Sequence, residues 1–326
     1  MAGIDFTKLP TFDELPISPD KPAESNWGVF GEDDQMGCVN LLTAEGIVAA
    51  ARLVRRGAVF RLDTPVGFAN PPMFGREPVR HSVLSWRSHG YLAYDDQLDS
   101  YNTQEGAQWD GLGHVGHLGY EAFYNGATPE EIEDTGPGGK LGIHLWADKL
   151  VGRGVLIDLF AYRDAVGRPV NPGAPEAYSI EDVKGALERQ QTEAGEGAIL
   201  LVRTGWMQHY LASSPEEKRD MATVKGLQAC GLEASRELVA WLWDHRVGAL
   251  GTDCPAVEPF PWDAKDLGAL HYRTLALLGM PIGEQFDLEA LAADCASDGN
   301  YECMLVSAPL NLPGGKASPP NALALK

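Results

Sequence analysis

"GAILLVRTGW", residues 197–206, decides how the rest of the chain is read. Five apolar residues, Ala198 to Val202, stand between turn residues. A run of that length has no room for helical periodicity, and bounded in this way it predicts a strand buried on both faces. Three more stretches have the same form: "GRGVLIDL" (152–159), "VGALGTDCP" (247–255) and "CMLVSAPL" (303–310). Helical patterns separate them, notably "SIEDVKGALERQ" (179–190), with Ser179 and Asp182 as a capping pair, and "LEASRELVAWLWDH" (232–245). Strands alternating with helices make an α/β protein, a mixed β-sheet core with flanking helices.

Upstream, "TAEGIVAAARLVRRG" (43–57) predicts a helix with Thr43 as N-cap and Gly57 as its stop. "AVFRLDTPV" (58–66) and "HSVLSW" (81–86) alternate as strands do, and the Pro- and Gly-rich "GFANPPMFGREP" joins them as a loop. Residues 1–42, with prolines at 10, 16, 19 and 22, predict an irregular arm able to act as a lid. Residues 43–326 then form one domain, without internal repeat or low-complexity linker.

The chain has 326 residues, 44% hydrophobic and 22% charged, which is enough to bury a sizeable core. Its 26 Lys and Arg against 46 Asp and Glu leave a formal charge of −20. That field repels nucleic acid and anionic membranes, so neither is expected as a partner. The five cysteines, Cys38, Cys230, Cys254, Cys295 and Cys303, are odd in number, far apart and without a C-x-x-C pair. They predict neither a disulfide framework nor a structural zinc knot, and they suit a reducing compartment. No apolar core of a secretory signal and no 18-residue apolar run occurs, so a cytoplasmic protein is expected.

The chemistry concentrates in "QEGAQWDGLGH" (104–114), where Gln104, Gln108, Asp110 and His114 fall at relative spacings 0, 4, 6 and 10. An ionised aspartate only accepts hydrogen bonds, and histidine is the side chain best suited to moving protons near neutral pH. The frame resembles H-x-G-T-H-x-D-x-P-x-H, the signature of the cyclase-like metal-dependent hydrolases that include kynurenine formamidase and isatin hydrolase. Gly106 falls on that family's glycine. "GTDCPAVEP" (251–259) resembles its G-x-D-x-x-S-x-D-P turn, "HYRTLALLGMPIGEQFDLEAL" (271–291) its late His and Glu element, and "PLNLPGGKASPPNALAL" its closing segment. The match extends over roughly residues 45 to 325. "SNWGVFGEDDQMGCVNLLT" (25–43), "QWDGLGH" and "YNG" (124–126) resemble the family's larger branch, which has glutamine in this frame.

The resemblance implies a swivelling β/β/α-like fold. It makes His114 the acid/base residue, and it assigns Gln104, Gln108 and Asp110 to the positions that bind a divalent metal (Mn, Zn or Mg). His271 and Glu284 become a late pair that ligates metal or orients water. The two glutamines depart from the family's histidines, and a neutral amide oxygen is a far weaker ligand than imidazole. They either leave Asp110, His271 and Glu284 to hold the metal or replace it as hydrogen-bond donors to a substrate carbonyl. Gln104, Gln108, Trp109 and Trp27 are the candidate substrate contacts. The resemblance further implies a homodimer or homotetramer that hydrolyses an amide, imide or lactone bond of a small cyclic or aromatic substrate. The alternatives are a metal-free lyase or cyclase acting beside a carbonyl, and a silent small-molecule-binding protein.

Elsewhere the bland expectation prevails. His117 belongs at the surface or the substrate's edge, and Asp253 caps a turn. Arg203 and Trp206 face either the pocket or the core edge. Cys254 has no base beside it and is not a nucleophile. No G-x-S-x-G elbow occurs.

Overall fold

The computed structural model describes residues 4–136 and 138–326. Its strands, in chain order, are β1 (Val59–Arg61), β2 (Arg80–Ser85), β3 (Tyr94–Asp99), β4 (Gln108–Asp110), β5 (Val151–Asp158), β6 (Ala177–Tyr178), β7 (Ile199–Arg203), β8 (Gly231–Leu232), β9 (Ala249–Thr252), β10 (Ile282–Glu284), β11 (Glu302–Ser307), β12 (Ala317–Ser318) and β13 (Ala322–Leu325). Its α-helices are α1 (Ala44–Ala51), α2 (Pro129–Glu133), α3 (Leu159–Ala165), α4 (Ile180–Gln190), α5 (Trp206–Ala212), α6 (Pro215–Met221), α7 (Arg236–Asp244) and α8 (Glu289–Asp298).

Nine strands form one mixed sheet in the order β1-β13-β11-β5-β7-β9-β10-β4-β12. β5, β7, β9 and β10 run parallel, and the flanking strands are antiparallel. The mixed α/β architecture expected from the alternating runs is the one observed. β7 and β9 are buried at every position, so both faces of the parallel centre are covered, which is why their sequences are continuous rather than alternating. β11, nearer the edge, alternates half-buried and buried residues.

Two helices differ from expectation. The 43–57 helix keeps its Thr43 cap, whose hydroxyl accepts from the Gly46 N–H, but ends at Ala51. Beyond it the Arg56 and Ala58 N–H groups donate to the Lys326 carbonyl, which draws the chain into the sheet edge. The helix expected over 232–245 begins only at Arg236. Leu232 is held in β8 beside Tyr178, and Ser235 caps the later start. The Ser179–Asp182 capping pair is present as expected.

The N-terminal segment lies against the end of a π-helical turn, Tyr272–Leu277. Asn26 donates to the Leu278 carbonyl (2.8 Å), the Trp27 indole to Ala276 (2.8 Å) and the Cys38 N–H to Gly279 (2.7 Å). Gly37 permits this approach: at φ +57, a Cβ there would lie 1.9 Å from the Gly279 oxygen. Asp34 accepts from the Met36 and Gly37 N–H groups, Asn40 and the Tyr124 hydroxyl, and Asn125 donates to the carbonyls of Gly31, Glu32 and Asp34. The arm residues are tethers. Trp27, 7% exposed and bonded to backbone, is thereby corrected from a substrate contact to an anchor of the arm.

Candidate active site

The site is built where β4 meets β10. These strands pair antiparallel with Gln108 opposite Glu284, Trp109 opposite Gly283 and Asp110 opposite Ile282. Side chains alternate across a strand, so Gln108, Asp110 and Glu284 share one face and Trp109 points to the other. Trp109 is fully buried against Phe286, its indole donates to the Ser307 hydroxyl, and Gly283 leaves room for its ring. Trp109 is therefore a core residue, and its reading as a substrate contact is corrected.

The shared face brings four of the sequence candidates together around one carboxylate. Gln104 Nε2 donates to Asp110 Oδ1 at 2.9 Å and lies 3.2 Å from His114 Nε2. Gln108 Nε2 donates to Asp110 Oδ1 (3.2 Å) and to Glu284 Oε2 (2.8 Å). A carboxamide has two N–H donors, and both amides direct theirs inward. In this structure Gln104 and Gln108 hold the site's own acids and histidine.

His271 stands at the N-terminal end of the π-helical turn, an irregularity common where a side chain is aimed at a site. Its Nε2 is 3.3 Å from Glu284 Oε1, and its Nδ1 is 3.1 Å from each oxygen of Glu258. Burial opposes a charge on this ring, but Glu258 and then Glu284 outweigh it and hold its pKa well above the ordinary range. Burial and the neighbouring Asp110 push the Glu284 carboxyl upward. Trp262 stacks on His271 with ring centres 5.5 Å apart.

His114 is the partly exposed member of the cluster, its side chain 28% accessible and its Nε2 3.8 Å from Asp110 Oδ1. Burial lowers its pKa, Asp110 opposes this, and His271 and Arg76 lower it further. A lowered pKa favours the neutral ring, the form a general base requires.

Three participants were not foreseen. Glu258 occupies the acid position of the "GTDCPAVEP" turn, a signal present in the sequence. The turn is strained, with Val257 at φ +55, and Gln285 beside Glu284 has φ +56. Trp262 and Arg76 had no signal beyond residue type. Arg76 comes from the 67–78 loop, where its guanidinium donates to the Gln104 carbonyl at 2.7 Å and lies over the Phe74 ring at 5.0 Å.

Asp253 is a cap, as expected. Fully buried, it accepts from the N–H and hydroxyl of Thr204 and from the N–H groups of Gly205 and Met207, so it closes the start of α5. Arg203 pairs with Asp158 and Glu289 at the core edge, and Trp206 is buried against Tyr210. Burial raises the Cys254 thiol well above its ordinary pKa, which keeps it unreactive. His117 is corrected from the surface to the interior: 6% exposed, it packs between Tyr120 and Tyr272.

Asp110, His271 and Glu284 offer ligand atoms that all lie within 4.8 Å of one another. Asp110 Oδ2 and Gln108 Oε1 are also buried without a hydrogen-bond partner. Acceptors left unpaired in the interior are costly, and a divalent cation is the kind of group that satisfies both. The donor set fits one, with an oxygen-rich shell.

A mixed sheet holding a buried carboxylate–histidine cluster at its β4–β10 end defines an α/β protein with an enzyme-like site. Residues 43–259 match the model of the Cyclase family, described as "Putative cyclase". A solved structure described as a novel cyclase is 32% identical, with a TM-score of 0.81 over 93% of this chain and 99% of that chain. The chain belongs to the Cyclase family. Isatin hydrolase A from Labrenzia aggregata, bound to benzyl benzoate, is similar in fold at 17% identity (TM-score 0.54, covering 86% of this chain and 97% of that chain). So is an isatin hydrolase bound to the product analogue thioisatinate, at 16% identity (TM-score 0.55, 87% and 99%). No curated protein matches the sequence significantly. Among the described residues, no helix is long and apolar enough to cross a membrane.

Proposed function

We propose that the protein hydrolyses an amide, imide or lactone bond in a small cyclic substrate, with His114 as general base. The observation that supports this most is the geometry of His114: partly exposed on one side and held on the other by Gln104 above a buried carboxylate. Family membership and the fold shared with isatin hydrolases agree with it. In this reading the His114 imidazole takes a proton from water as the oxygen adds to the acyl carbon. Asp110 stabilises the imidazolium that results. The same proton then passes to the leaving nitrogen or oxygen as its bond to carbon breaks, which leaves a carboxylic acid and an amine, amide or alcohol. Gln104 and Gln108 fix the carboxylates, and Glu258 fixes the orientation of His271. A divalent cation held by Asp110, Glu284 and His271, with Gln108 Oε1, would polarise the acyl oxygen and acidify water.

A test independent of turnover is thermal melting with added Mn²⁺. At a hundredfold excess over its Kd, a bound cation stabilises the folded state by about 2.7 kcal/mol. That shift is expected for the wild type and absent from Asp110→Asn. An unchanged wild-type melting temperature removes the cation from the site.

The partner we propose is a second copy of the chain. The β2–β3 hairpin stands clear of the main sheet with Val83, Leu92 and Tyr94 exposed, and two strands are marginal alone. Its tip, residues 86–92, has Arg87 and no acid. A cleft of about 720 Å³ elsewhere on the chain presents Leu118 and Phe123 beside Glu121 and Glu130, an apolar and acidic complement to that tip. Replacing residues 81–98 by a short Gly-Ser link is expected to halve or quarter the mass seen by light scattering. An unchanged mass refutes the exchange.

A further inference from the structure

We propose that Arg76 is the anchor for a carboxylate carried by the substrate beside the bond that His114 attacks. This rests on the hydrolase reading above and names the class of substrate it leaves open.

The case begins with how this chain uses its other arginines. With 46 acids to 26 bases, an arginine readily finds a carboxylate. Arg56, Arg80, Arg153, Arg163, Arg168, Arg203, Arg236 and Arg273 all do. Among the described residues without an ion pair, the arginines other than Arg76 and Arg246 are exposed. Arg246 is buried and bonded to the carbonyls of Leu9, Pro10 and Trp243. Arg76 differs from both groups. It is half-buried, and among the described residues its guanidinium makes one hydrogen bond, to the Gln104 carbonyl. A guanidinium has five N–H donors in a fork matched to a carboxylate, so most of this fork is free.

Its position is constrained. Phe74 lies beneath the guanidinium in a left-handed backbone conformation (φ +60), and Phe260 packs edge-on against that ring at 5.5 Å. A planar cation stacked on an aromatic face is pre-organised, so less freedom is lost when it binds. The residue it grips through backbone is the one whose side chain holds Asp110 and His114, and its charge acts on both Glu284 and His114.

Charge balance supplies the last step. A molecule of formal charge −20 repels an anion at long range, and the cluster of Asp110, Glu258 and Glu284 repels it at short range. Arg76 also balances Glu284 and Asp110, and its unused donors are the group on this side of the cluster that a substrate carboxylate would engage.

The experiment is calorimetric titration with benzoate and with its neutral counterpart benzamide, on the wild type, Arg76→Met and Arg76→Lys, each checked for an unchanged melting temperature. The wild type is expected to bind benzoate more tightly than benzamide. Arg76→Met weakens benzoate by about 10- to 100-fold and leaves benzamide alone, and Arg76→Lys falls between, because it keeps the charge without the fork. In turnover, KM for the carboxylated member of a matched substrate pair rises by the same factor with kcat held. A wild type that does not prefer benzoate overturns the assignment. So does a Met variant that weakens both ligands equally, which marks Arg76 as a loop anchor. Arg76-dependent benzoate binding with no cleavage of any amide, imide or lactone keeps the anchor and ends the hydrolase reading.

Discussion

Replacement of His114 by alanine is expected to lower turnover by about 10²- to 10⁴-fold, the range for removal of a positioned general base. The fold persists. The side chain is partly exposed and touches only Gln104 and Asp110 among the groups of the cluster, so a modest fall in melting temperature is expected. The wild-type profile carries the sign of the His114 titration. Its pKa is lowered from 6.5, chiefly by burial, so the active neutral form persists below that value and activity falls only as the pH drops through the lowered pKa. Steady-state kinetics on N-formyl, cyclic-imide and lactone substrates checks both points. Full activity in His114→Ala, or an acid limb above pH 6.5, would sink the assignment. A silent binding protein would show no turnover to lose, and at most weaker affinity.

The second large effect falls on stability. Asp253→Ala removes the acceptor of four donors, two from Thr204 and one each from Gly205 and Met207, in a fully buried position. Orphaned buried donors cost about 1–3 kcal/mol each, partly relieved by relaxation, so a loss of about 3–5 kcal/mol is expected in urea denaturation. α5 loses its cap, because Gly205 has no side chain to supply one. The pH dependence follows from burial, which raises the Asp253 carboxyl from 3.8 to about 6. A raised carboxyl contributes stability fully present below its unfolded value and lost as pH rises through its folded one. The gap between wild type and Asp253→Ala therefore narrows from about pH 4 to about pH 6. A loss below about 1 kcal/mol would show that Asp253 is not the cap.

The legible part of this protein is local. "GAILLVRTGW" and its three companions read as buried strands because five apolar residues between turns leave little else to be, and β5, β7, β9 and β11 lie where those runs are. Ser179 and Thr43 read as caps because a cap is satisfied within three residues. The spacing of Gln104, Gln108, Asp110 and His114 marked one site because all four come from a single strand and its flanks.

Other features required the tertiary structure. Which face of β4 looks into the site is set by its register with β10, and that placed Trp109 in the core while Gln108 met Glu284 across 176 residues of sequence. The direction of the amide donors depends on which carboxylates the fold sets around them, so Gln104 and Gln108 became braces of the acid cluster. Glu258 and Arg76 arrive from loops, where no periodicity records what a side chain will face. Residue types and near-neighbour spacing determined the strands, the caps and which residues of 104–114 were candidates for the site. Long-range pairing decided which of those groups touch, because contacts between residues hundreds of positions apart follow from how the sheet closes and leave no local pattern to read.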